Sequence, residues 1–103
     1  MKNALDEWVR LEIMGAAPDD FRPSTVDAHA VSAAGFAVAR GLCKPYKARP
    51  PGEVLPDDWW IWIDHAREHR NPIASPTFAR GICEALYLAV TGKPWPNRGR
   101  RSW

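Results

Sequence analysis

Residues 56–70 read PDDWWIWIDHAREHR, and the class of the fold turns on them. Trp59-Trp60-Ile61-Trp62-Ile63 is an unbroken apolar run, too short for its period to separate a buried strand from a buried helix. The surroundings favour a helix. Pro56-Asp57-Asp58 has the form of a helix start, with acids at the positive end of the dipole. Asp64 to Arg70 contains no breaker, and Asn71-Pro72 supplies a stop. The expectation is one helix over 57–70, with Trp59, Trp62, Ile63 and Ala66 on its inner face. Trp60 and Ile61 then point elsewhere.

Downstream, SPTFARGICEALYLAVTG (75–92) reads as a helix with both ends marked. Ser75 is a good N-cap, and Pro76 sits where its missing N–H costs nothing. Gly92 supplies a left-handed stop, and Pro94 blocks continuation. Phe78, Ile82, Ala85, Leu86 and Ala89 share one face, and Cys83, Tyr87, Leu88 and Val90 carry apolar surface round most of the cylinder. A helix apolar nearly all round is buried by its neighbours, so 76–91 is the expected core element.

Upstream, helical spacing predicts Ala4 to Met14, capped by Asn3 and stopped by Gly15. A second helix is expected over 25–40, with Ser24 as cap, Asp27 completing the box and Gly41 as stop. Its face of Ala30, Ala33, Ala34 and Ala37 suits close approach to the core helix. Gly35 costs about 1 kcal/mol against Ala inside a helix, which close packing is expected to offset. The fold predicted is therefore all-α: a compact single-domain bundle of about four helices (4–14, 25–40, 57–70, 76–91), with a proline-rich loop over 42–56. Residues 1–92 form the helical domain, and 93–103 a basic tail containing proline and glycine.

At 103 residues, 46% of them hydrophobic and 25% charged, the chain has the make-up of one globular domain. The two cysteines, Cys43 and Cys83, form no CxxC pair and read as reduced thiols. With no apolar stretch near membrane-spanning length and no export-type start, a cytoplasmic protein without membrane contact is expected.

No nucleophilic triad and no glycine-rich phosphate loop is legible, so an enzyme is the minority reading. His65-Ala66-Arg67-Glu68-His69 resembles the HxxEH spacing of inverzincin metallopeptidases. That resemblance implies His65 and His69 on one zinc with Glu68 as base, and a third ligand from Glu84, His29 or Asp64. Cations complementing the negative end of a helix account for the same residues, and the reading assigns neither metal nor cofactor.

Net charge is only +2, so any affinity for nucleic acid must come from local clustering. Two clusters carry bases without acids: Arg40, Lys44, Lys47 and Arg49 around Tyr46, and Lys93, Arg98, Arg100 and Arg101 around Trp95 and Trp103. Basic side chains interleaved with aromatics suit phosphates and unstacked bases. Six tryptophans are the compositional outlier. Trp8, Trp59 and Trp62 fit inner faces, whereas Trp60, Trp95 and Trp103 lack an evident burial partner. Trp and Arg dominate protein–protein hot spots, so the first expectation is a non-catalytic protein that engages a protein partner through basic loops and exposed aromatics. In being short, single-domain and without catalytic signature, the chain is similar to small phage- or prophage-encoded proteins, including anti-CRISPR inhibitors of host nucleic-acid-processing complexes; no residue carries over from that likeness. Direct DNA or RNA binding is the second reading, a homodimer a further candidate, and a metal-dependent hydrolase using His65, Glu68 and His69 the third.

Overall fold

The computed structural model describes residues 3–52 and 56–96. Helix α1, Ala4–Trp8, runs on as a π-helical turn, Val9–Ile13; helix α2 is Asp27–Ala39. Strands β1 (Lys47–Arg49), β2 (Trp59–Trp62) and β3 (Ile73–Ser75) follow, and helix α3, Phe78–Thr91, comes last. The strands form one antiparallel sheet in the order β1-β2-β3. The all-α bundle of four helices is thus overturned: the protein is an α/β mix, and the expected helix 57–70 is a central strand followed by a loop.

The physical reason lies in residues 59–70. Trp and Ile fit a pleated, half-buried surface better than they fit consecutive helical positions. A strand sends alternate side chains to opposite faces, so Ile61 and Ile63 are buried while Trp60 and Trp62 stay partly exposed. In 64–70, side chains take the donors a helix would have used. Asp64 Oδ1 accepts from the Arg70 N–H at 2.8 Å, and His65 Nδ1 from the Arg67 N–H at 3.1 Å. The Lys44 N–H donates to the Asp64 carbonyl at 2.9 Å, and the backbones of Cys43 and His65 pair as an isolated antiparallel β-bridge, so this loop is tied to the segment entering β1.

α3 is the core element, as its pattern implies, but it is wrapped differently from expectation. It packs on α2, on β2 and β3, and on α1. Ile82, Cys83, Leu86 and Ala89 are fully buried, and each aliphatic side chain of the size of Ile or Leu contributes about 1.5–3 kcal/mol. Toward α2 it meets the small face Ala30, Ala33, Ala34 and Ala37, all buried. Toward the sheet, Gly81 permits the closest approach: a Cβ there would stand 2.4 Å from Ile61 Cδ1 and 3.1 Å from Ser75 Cβ. Gly92 ends the helix at φ 76°, where an L side chain is strained.

Asn3 caps α1 as expected, its Oδ1 accepting from the Leu5 N–H at 2.8 Å, but the N-caps of α2 and α3 sit elsewhere. Ser75 closes β3, and its Oγ donates to the Thr77 carbonyl at 2.9 Å. Thr77 caps α3 instead, accepting from the Arg80 N–H. Ser24 does not cap α2; it is buried, and its N–H donates to Asp6 Oδ1 at 2.7 Å, joining α1 to the entry of α2. Gly35 faces open space rather than a close neighbour, so packing does not offset its cost. Burial pushes the Cys43 thiol up to about 11 and the Cys83 thiol higher still, so both are uncharged at neutral pH. Among the described residues no helix is long and apolar enough to cross a membrane.

Candidate functional site

In an antiparallel sheet, residues paired across strands lie on the same face. The β1–β2 register pairs Lys47 with Trp62, Ala48 with Ile61 and Arg49 with Trp60. The β2–β3 register pairs Trp59 with Ser75, Trp60 with Ala74 and Ile61 with Ile73. Ala48, Trp59, Ile61, Ile73 and Ser75 therefore form the inner face, against α3. Ile61, Ile73 and Ser75 are buried, the half-buried Ala48 and Trp59 pack on the core cluster, and Trp59 sets its ring edge-on against Phe78 with centroids 5.1 Å apart.

Lys47, Arg49, Trp60, Trp62 and Ala74 form the outer face. Trp60 and Trp62 are partly exposed, and neither is among the apolar side chains packed on the core cluster. Lys47 and Arg49 are exposed. Two indoles spaced about 7 Å along one strand thus lie beside two cations on the neighbouring strand, one cation directly opposite each ring. Lys44, also exposed, stands in the segment leading into β1, and Asp57 and Asp58 precede Trp59 at the start of β2.

The other candidates from the sequence divide. Tyr46 is half-buried and packs edge-on against Phe78 at 5.7 Å, so it braces the inner side of the sheet. Arg40 donates from Nη1 to the Ile13 carbonyl at 2.6 Å and the Glu12 carbonyl at 3.4 Å, which spends it on the end of the first helix. Lys93 is exposed beyond α3. Trp95, expected to be exposed, is buried, its ring edge-on to Tyr87 at 4.9 Å. Arg98, Arg100, Arg101 and Trp103 lie outside the described residues. Trp62 is the residue that sequence reasoning left out of the site. Its alternation with Ile61 and Ile63 was the available signal.

The HxxEH residues lie on the loop after β2, so no helix presents His65 and His69 on one face. His69 Nδ1 meets Asp64 Oδ2 at 3.3 Å, and Glu68 accepts from Arg70 Nη1 at 2.7 Å. The Arg70 hydrogen bond holds the Glu68 carboxyl below its ordinary range, and the Arg70 backbone N–H does the same for Asp64. Glu84 is buried on α3 and accepts from Arg80 Nε at 2.6 Å, while His29 Nδ1 accepts from the Arg22 N–H. Among the described residues, no group of three or more His, Cys, Asp or Glu is placed to hold a metal ion.

The arrangement on the outer face offers ring surfaces and exposed positive charge. Comparison of the chain with protein-family models, with curated proteins and with solved structures gave no match.

Proposed function

We propose that this is a non-catalytic binding protein whose contact surface is the outer face of the sheet, and that its ligand there is a single-stranded nucleic acid. The observation that carries the reading is the register placing Lys47 opposite Trp62 and Arg49 opposite Trp60. Indole faces stack unpaired bases of any sequence, and neighbouring cations neutralise the backbone phosphates. A duplex keeps its base faces stacked and out of reach of the two indoles, so single strands are preferred.

The reading in which this face grips a protein partner, as a phage-type inhibitor of a nucleic-acid-processing complex would, draws on the same residues, because Trp and Arg dominate protein hot spots. Salt separates the two. Fluorescence anisotropy of a labelled oligonucleotide is expected to give an affinity falling with salt at a log–log slope of about −1.4 to −2, as two or three phosphates lose their counterions. Absence of binding to single-stranded DNA and RNA at low salt contradicts the nucleic-acid reading.

A further inference from the structure

A second surface lies away from the sheet, where the first helix meets the end of α3. Trp8, Leu11, Tyr87 and Trp95 line an open groove of about 380 Å³, with Glu7 and Glu12 among its walls. Tyr87 is the central ring: Trp8 and Trp95 each approach it at 4.9 Å, at interplanar angles of 65° and 84°. Both contacts are edge-to-face, so the plane of each indole is steeply inclined to that of Tyr87. Leu11 is 47% exposed at its edge. Leu11 and Glu12 belong to the π-helical turn Val9–Ile13, a distortion that recurs at functional sites.

The charge of the groove has one sign. Among the described residues no Lys or Arg side chain lines it. Glu7 is bonded to Arg10, and the Arg40 guanidinium is directed at the carbonyls of Glu12 and Ile13. The exposed Glu12 carboxylate is left as the main negative charge at the rim. Aromatic faces with a carboxylate beside them attract an alkylammonium ion by cation–π and Coulomb attraction together. An uncharged apolar guest gains only the burial.

We propose that this groove holds the ammonium group of a lysine side chain on a partner protein. The site is independent of the sheet's outer face and uses none of its residues. The test is a titration followed by the indole N–H resonances of Trp8 and Trp95, using capped peptides that differ only in carrying lysine or norleucine at the centre. The lysine peptide is expected to bind about fivefold tighter or more, and Glu12→Gln to remove most of that preference. Glu12 is exposed, so this variant leaves the fold in place; its oligonucleotide affinity is expected to match the parent protein's. Equal binding of the two peptides, or no shift of either resonance with lysine, overturns the proposal.

Discussion

Replacing Trp60 and Trp62 together by Ala is expected to weaken binding of a single-stranded oligonucleotide by at least about thirtyfold. Each base stacked on an aromatic ring is worth about 1–3 kcal/mol by alanine substitution, and about 1.4 kcal/mol is tenfold in affinity. The folded state should survive, because neither ring packs on the core cluster and a cross-strand pair contributes only about 0.2–1 kcal/mol. Trp59→Ala is the informative contrast. Trp59 is the immediate neighbour of Trp60 but faces α3 and Phe78. Its loss should lower the unfolding free energy by about 2 kcal/mol or more, as aromatic truncation against a core does, and leave oligonucleotide affinity largely unchanged in the folded fraction. Loss of binding in Trp59→Ala with full binding in the double variant would reverse the assignment of faces. Anisotropy titration and urea unfolding give the two readouts.

The second large effect is at Gly81. An exposed mid-helix glycine gains roughly 1 kcal/mol of stability on replacement by Ala. Gly81 is buried, and a side chain there runs into Ile61 and Ser75. Ile61 is itself fully buried and has no room to swing aside without disturbing its neighbours. Gly81→Val is expected to cost about 3 kcal/mol, the upper part of the usual range for overpacking. Gly81→Ala should cost less, and Ile61→Val in that background should recover part of the loss, because valine lacks the Cδ1 atom that stands closest. A coupling of about 0.5–3 kcal/mol in this double-mutant cycle reports direct contact. Additive effects, or stabilisation by Gly81→Ala alone, would place the helix away from the strand.

What was legible in the sequence was what local chemistry decides. The apolar spacing of 78–89, the small face of α2 and the glycine stops at 15, 41 and 92 depend on near neighbours in the chain, and those elements stand close to where the pattern puts them. Residues 59–63 were a different case. Five large apolar residues in a row satisfy either geometry, and the choice is made by β1 and β3, each three residues long. β1 lies inside a proline-broken connection and β3 ends on a serine with the look of a helix cap, so neither announces itself. The breaker-free stretch 64–70 then misled by its helix-friendly composition, because Asp64 and His65 form local hydrogen bonds that composition does not reveal.

The candidate site was legible to the same degree. Interleaving of bases with Tyr46 picks out Lys47 and Arg49, and the lack of an evident burial partner picks out Trp60, but only strand register shows that these three share a face. The same ignorance of register assigned Trp62 to an inner surface. The burial of Trp95 is not legible from spacing, because its partner, Tyr87, precedes it across the turn at Gly92, where spacing arguments stop.

Six tryptophans give six indole N–H resonances, and their response to a single-stranded oligonucleotide reports directly on which surface is used. The signals of Trp60 and Trp62 are expected to move together along one binding curve, with those of Trp8, Trp59 and Trp95 nearly still. Movement of Trp8 and Trp95 while Trp60 and Trp62 stay fixed would contradict the outer face of the sheet as the binding surface.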